Sequence, residues 1–339
     1  MKFGIEFVPN EPVFKLAANA KAAEDQGFEY VWMTDHYNNR DVYSTLTVIA
    51  SATNKIKIGA GVTNPYTRNP VVTAASIATV NEISGNRTIL GIGPGDKITF
   101  NSLGIGGEKP LTAVKETAKV VRELWTGRKV TYEGDTLQLK NAKLDFTNPK
   151  KTEKGMEIPI YIGAQGPKML EMAGAVGDGV LINASHPDDF KIARAQIEKG
   201  AQSAGRGLKE IDIAAYTCFS IDEDIEKAYA AAKPVIAFII AGSGDVLLER
   251  HGVSKETKDE IVNAVSKGEF KELNALIKNE TADRFAVIGD FETCFQKIKE
   301  LEKAGVTQMV AGSPIGPNKE KSIRLLGKII AEFENENNI

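Results

Sequence analysis

Three carboxylates stand where chemistry is possible. Glu6 interrupts the apolar run Phe3-Gly4-Ile5-Glu6-Phe7, Asp35 follows Tyr30-Val31-Trp32-Met33-Thr34, and Asp96 closes Gly91-Ile92-Gly93-Pro94-Gly95. In a strand, alternation sends Phe3, Ile5 and Phe7 to one face and Gly4 and Glu6 to the other. An unpaired Glu is costly to bury, so that face either meets solvent or holds a carboxyl with a task. Burial raises a carboxyl's pKa toward neutrality and suits it to acid–base chemistry. The plain alternative is an ion pair with a Lys or Arg of a neighbouring strand. Asp35 and Asp96 read either as ligand-binding groups or as caps of the helices that follow. Glycine-rich strand ends accompany them: Gly61-Val62-Thr63-Asn64, Gly93-Pro94-Gly95 and Gly163-Ala164-Gln165-Gly166. Such glycines either make turns or let a flat ligand or a phosphate approach the backbone closely. Asn183 and Ser313 end two further strands.

These residues must be positioned by repeated strand–helix units. Strands are predicted over about 2–8, 30–34, 56–61, 87–92, 158–162, 179–182, 213–220 and 307–311. Helices are predicted over about 12–26, 43–52, 70–83, 111–125, 167–176, 187–204, 291–304 and 319–333, with a frayed tail over 334–339. Residues 101–108 read as an irregular glycine-rich stretch, and 285–288 as a short extra segment. Val/Ile/Gly-rich strands alternating with helices argue a parallel sheet. A count of eight favours a closed (β/α)8 TIM barrel over an open doubly wound sheet, and strand C-terminal ends then carry the chemistry. The glycine fingerprint of a dinucleotide fold is missing after the first strand, where Pro9-Asn10-Glu11-Pro12 stands. We read residues 1–339 as a single barrel domain with two insertions, a hairpin near 130–146 around Gly134-Asp135 and a mainly helical segment near 222–283. The apolar stretch 235–240 within the second insertion is left between covering the site and lying in an interface.

Composition narrows the function. Apolar residues make up 42% and charged residues 26% of the 339, and the net charge of −3 offers no field for nucleic acid or an anionic membrane. No signal peptide or membrane span is read. Cys218 and Cys294 lie in separate apolar segments and read as buried thiols of a cytoplasmic protein. Three histidines, His36, His186 and His251, are too few for a His-based metal cluster, so no metal is expected. His186 precedes Pro187 and is expected near the rim, whereas His251 before Gly252 reads as a helix end.

The runs MKFGIEFVPNEP at the start, TDH at 34–36, IGAGVTNPYTRNP at 58–70, GIGPGD at 91–96 and PIYIGAQGPKMLEMAG at 159–174 carry a resemblance that extends nearly end to end. The chain resembles the bacterial-luciferase-like superfamily, and within it the coenzyme F420-dependent methylenetetrahydromethanopterin reductases of methanogenic archaea. The resemblance implies a (β/α)8 barrel with insertions and non-covalently held F420, a deazaflavin co-substrate, at the C-terminal mouth. It implies a non-prolyl cis peptide at Gly61-Val62, in a strand-end bulge that supports the tricyclic ring, with Thr63 and Asn64 beside it. It places the cofactor's phosphate-bearing tail against Gly163, Ala164, Gln165, Gly166 and Lys168, although Lys168 also reads as a plain solvated lysine. Gly95 and Asp96 join the cofactor site, Asp35 and Asp96 the pterin or ring edge, and Glu6 becomes the acid that protonates a nitrogen as hydride arrives at carbon. A homo-oligomer, dimer or tetramer, is implied as well. Alternatives within the resemblance are an F420-dependent alcohol dehydrogenase, an FMN monooxygenase and a non-catalytic deazaflavin-binding relative. The alcohol enzymes carry a Trp shortly after the His of TDH, whereas Tyr37-Asn38-Asn39-Arg40 follows here, so His36 reads as a packing residue.

Overall fold

The structure, a computed structural model, describes residues 1–147 and 156–337. Its strands are β1 (Lys2–Phe7), β2 (Tyr30–Met33), β3 (Lys57–Thr63), β4 (Thr88–Ile92), β5 (Val130–Glu133), β6 (Gln138–Ala142), β7 (Ile160–Gly163), β8 (Gly179–Ile182), β9 (Asp212–Ile221), β10 (Ala286–Gly289) and β11 (Gln308–Ile315). Eight of them pair in parallel in the order β11-β1-β2-β3-β4-β7-β8-β9, and pairing of β9 with β11 closes the ring. This is a (β/α)8 TIM barrel of the luciferase-like type. The remaining parallel strand, β10, pairs with the last four residues of the long β9, from Cys218↔Ala286 to Ile221↔Gly289. The antiparallel β5–β6 hairpin stands between β4 and β7, and helices between Ile225 and Phe285 stand between β9 and β10.

The barrel follows from the alternation in its strands. In β1, Phe3, Ile5 and Phe7 enter the apolar layer between strands and helices, whereas Gly4 and Glu6 point to the lumen. Fully burying a side chain such as Ile5 or Phe7 contributes about 1.5–3 kcal/mol, which fixes the strand's facing, because a one-residue slip would exchange the two sets. The lumen's lower part is filled by Tyr30, Trp32, Ile89, Tyr161, Leu181, Ala214 and Val310. Polar groups in this plug are paired, as burial demands. Asp212 accepts from Tyr161 Oη at 2.7 Å and from Gln308 Nε2 at 2.9 Å, and Lys2 Nζ lies 3.1 Å from it. Thr307 also donates to Asp212, and Trp32 Nε1 donates to Gln308 Oε1 at 2.9 Å.

Helix termini are set by local chemistry. Arg87, before β4, donates to Ala50 O, Thr53 O and Ile56 O, taking up carbonyls at and beyond the end of the helix Val42–Ala52. Glu24 accepts from the amides of Asn54, Lys55 and Ile56 on the other side of the same turn. The helices after β9 build a core of their own, in which Ala232, Ile236 and Ile240 pack on Leu248, Ile261 and Leu273. No helix among the described residues is long and apolar enough to cross a membrane.

Several boundaries depart from the sequence expectations. Residues 101–108 are not wholly irregular, since a helix, Lys97–Leu103, occupies the first part and ends at Gly104 in the left-handed region with φ +64°. The last strand runs on to Ile315, past the expected end at 311. The expected frayed tail is helical as far as Asn337, with residues 338 and 339 outside the described set.

Candidate active site

A cavity of about 710 Å³ opens at the C-terminal ends of the barrel strands. Glu6, Asp35, Gly61, Val62, Asn64, Gly95, Asp96, Gly163, Ala164, Gln165 and Gly166 all line it, so one mouth gathers residues spread over 160 positions of sequence. Two expected site residues stand apart. Thr63 is buried behind the wall, where its hydroxyl donates to Asp35 Oδ2 at 2.7 Å. Lys168 is exposed on the first turn of the helix Pro167–Val176 and does not line the cavity.

Glu6 lies at the cavity floor with 8% of its surface exposed. No Lys or Arg of a neighbouring strand pairs with it among the described residues. Instead Ser313 donates twice, from its amide to Oε2 and from its hydroxyl to Oε1, each at 3.3 Å. Burial pushes the Glu6 carboxyl up to about 7, against the opposing pull of the Ser313 amide and hydroxyl and of Lys319. That value suits a group that must both give and take a proton near neutral pH. Burial also pushes Asp35 up, while the Thr63 hydroxyl and Arg68 work the other way.

A further wall of the cavity is the end of β3, two strands along from β1. Pairing with β4 shifts register between Ala60 and Thr63, and the Gly61-Val62 peptide inside that bulge is cis. Gly61 O accepts from Tyr216 Oη at 2.9 Å. Val62 leans over the ends of β4 and β7, where a Cβ on Gly93 would stand 2.5 Å from Val62 Cγ2. The glycine therefore makes room for the valine, and together they present a smooth apolar ledge. Asn64 turns the chain beyond it, with Oδ1 accepting from the amides of Tyr66 and Thr67, both at 3.0 Å. At the rim Asp96 caps the helix Lys97–Leu103 by accepting from Thr99 N at 2.8 Å, with Gly95 before it at φ +71°. Gln165 Nε2 donates to Asn183 O at 3.0 Å. Gly166, which lines the mouth, begins the Pro167 helix without a side-chain cap, so its first-turn amides have no side-chain partner there.

Other lining residues were not singled out from sequence. Tyr216 and Cys218 face inward from β9, and burial raises both groups, with Glu6 adding to the effect. Their alternation within 213–220 was the available signal. Val235 and Ile239, one helical turn apart on Ile225–Gly242, reach the cavity, so part of the stretch 235–240 covers the site. His36 is not the packing residue expected; it is exposed and lines the rim. His186 does not reach this cavity; it caps the helix Pro187–Ser203 and lies 2.8 Å from Arg284 Nη1, in a separate hollow of about 510 Å³. His251 ends the helix Asp245–Arg250 and meets Asp189 Oδ2 at 2.8 Å.

Fold and cavity together define a TIM-barrel protein whose strand-end mouth sets a raised carboxyl and the glycine-flanked Gly61-Val62 bulge in one cavity. The luciferase-like monooxygenase profile matches residues 6–308. The chain is 56% identical over 331 residues to the 5,10-methylenetetrahydromethanopterin reductase of Methanolobus tindarius, covering 97% of this chain and 99% of that one. It is 50% identical to the enzyme of the same name from Archaeoglobus fulgidus, with 97% and 98% covered. The solved structure of the coenzyme F420-dependent tetrahydromethanopterin reductase from Methanopyrus kandleri superposes with a TM-score of 0.93 at 48% identity, covering 98% of this chain and 99% of that one. The chain belongs to the luciferase-like monooxygenase family.

Proposed function

We propose that the protein catalyses reversible hydride transfer from reduced coenzyme F420 to 5,10-methylenetetrahydromethanopterin, giving 5-methyltetrahydromethanopterin. The observation that carries the reading is Glu6: a carboxyl raised to about 7 at the floor of a cavity fit for a ring, in a chain half or more identical to reductases so named. The residues present fit a flat tricycle. The Gly61-Val62 ledge has glycine backbone on either flank, and the floor below is aromatic and aliphatic. When bound, the reduced deazaflavin supplies a hydride from its central ring.

The chain's own residues do the rest. The methylene carbon bridges two nitrogens and accepts hydride only once one C–N bond opens. Glu6 gives its proton to the nitrogen released, and its anion then faces the positive charge developing on carbon. Near its pKa it regains a proton from solvent without a large penalty. Val62, Val235 and Ile239 keep water from the reacting carbon. Gln165, Gly166 and the start of the Pro167 helix hold the anionic tail, with Lys168 adding charge from outside. Asp35 and Asp96 hold polar edges of the pterin or the ring. F420 is a non-covalent co-substrate in this reading, no metal takes part, and the chain works in the cytoplasm as one barrel domain with its two insertions. Association into a dimer or tetramer belongs to the same reading.

The test is anaerobic mixing of the protein with oxidised F420 and methyl-tetrahydromethanopterin, following loss of the deazaflavin's visible absorbance. Turnover with this pair and none with FMN or NADP is expected. Glu6→Gln should abolish turnover while F420 fluorescence still reports binding. A Gln variant that retains most of its activity would overturn the assignment of the acid.

A further inference from the structure

The proton on Glu6 has to sit on one of two oxygens, and the neighbouring groups distinguish them. Ser313 N can only donate, so Oε2, 3.3 Å away, must accept from it in either charge state. In a protonated carboxyl the better acceptor is the carbonyl oxygen, which makes Oε2 the carbonyl and Oε1 the hydroxyl. Ser313 Oγ, 3.3 Å from Oε1, can donate to an anion or accept from an acid by rotating its own proton. We propose that Ser313 is the positioning residue of the reaction: its amide anchors Oε2 permanently, and its hydroxyl reverses direction at Oε1 as the proton comes and goes. This inference rests on the acid role of Glu6 proposed above.

The seat is built by its neighbour as well. A Cβ on Gly312 would stand 2.6 Å from Glu6 Oε2 and 2.3 Å from Thr217 O, so only bare backbone brings the Ser313 amide to the carboxylate. Charged and titratable groups on the surrounding elements leave the task to Ser313. Lys319, after β11, lies 2.8 Å from Glu11 Oε2. Tyr216 and Cys218 on β9 stay protonated, and Asp35 and His36 follow β2, the strand paired with β1, where Asp35 is taken up by the Thr63 hydroxyl. In the transfer step the Glu6 Oε1–H turns from Ser313 Oγ to the substrate nitrogen, the O–H bond breaks and an N–H bond forms. The Ser313 hydroxyl then rotates from accepting to donating to the anion, and the amide bond to Oε2 is kept throughout. The carboxylate therefore does not rotate away after it has given up its proton.

Removing the hydroxyl takes a charge-assisted bond from the anion and a weaker neutral bond from the acid. Ser313→Ala should therefore hold the Glu6 proton to higher pH, by about half a unit to one unit. Titration of the Glu6 carboxyl by infrared difference spectroscopy, its band assigned by subtraction against Glu6→Gln, reads this without substrate or turnover. Kinetics should show the kcat–pH profile displaced the same way and kcat reduced ~3- to 30-fold, with F420 affinity by fluorescence unchanged. Ser313→Thr, which restores a hydroxyl, should recover both. An Ala variant whose infrared midpoint coincides with wild type overturns the proposal, as does a folded, F420-binding Thr variant that behaves like Ala. If the wild type fails to turn over the pterin, the reaction reading falls, while the infrared midpoint still decides the role of Ser313.

Discussion

The raised carboxyl at the cavity floor makes a stability prediction that needs no substrate. Glu6 holds its proton more tightly in the folded chain than in the unfolded one, because burial lifts it from 4.5 to about 7. Between those values the folded state binds more protons, so stability falls as pH rises. The cost is absent below 4.5, grows through the interval and is constant above about 7. At about 1.4 kcal/mol per pH unit, the full cost of the ionised group comes to about 3 kcal/mol. Gln has the shape of the protonated acid and does not titrate; it can accept from Ser313 N and donate to Ser313 Oγ. Glu6→Gln should match wild type near pH 4.5 and exceed it by about 3 kcal/mol near pH 8.5. Denaturant melts of both proteins at the two pH values measure the difference directly. In thermal melts of a 339-residue chain, the same gain corresponds to a Tm advantage of about 4 °C. A Gln-minus-Glu difference that does not change with pH would refute the reasoning, because it would mean that Glu6 titrates alike in both states.

Gly312→Ala should abolish activity or prevent folding, because its Cβ would overlap Thr217 O at 2.3 Å and Glu6 Oε2 at 2.6 Å; circular dichroism and the F420 assay separate the two outcomes. Arg87→Ala should cost about 2–4 kcal/mol in denaturant melts, since several carbonyls beneath β3 and β4 lose a charged donor. Asp96→Ala should cost about 1 kcal/mol through the lost cap on Lys97–Leu103; a raised KM for the pterin beyond that would give Asp96 a place in substrate binding. Asp35→Asn should raise KM for pterin or cofactor, with wild-type constants returning Asp35 to a purely structural bond with Thr63.

Much of this was legible in the chain because strand alternation is local. Alternation alone set Glu6 on the face opposite Ile5 and Phe7, leaving solvent or lumen for the closed ring to decide, and the strand Gly179–Ile182 is located to the residue. The resemblance supplied the cis Gly61-Val62 peptide, which no propensity would give. The irregular reading of 101–108 takes in the end of the helix Lys97–Leu103 because glycines crowd that stretch, although Asp96 and Thr99 have the spacing of an N-cap. The buried Asp212 network was out of reach for another reason. Lys2, Trp32, Tyr161, Thr307 and Gln308 are remote in sequence and meet only when the ring of strands closes. The same holds for the Ser313 seat, which lies 307 residues from the carboxyl it holds.

The plug of Tyr30, Trp32, Tyr161 and the Asp212 network turns the barrel into a vessel with one opening. A reaction joining two ring systems in such a vessel has a queue. Whichever ring rests deeper must load first and depart last, and the shallower one acts as its stopper. Steady-state kinetics should then show compulsory order, with the inner product competing against the inner reactant and not against the outer one. The tightly bonded floor of the barrel thereby sets the timetable of traffic at its mouth.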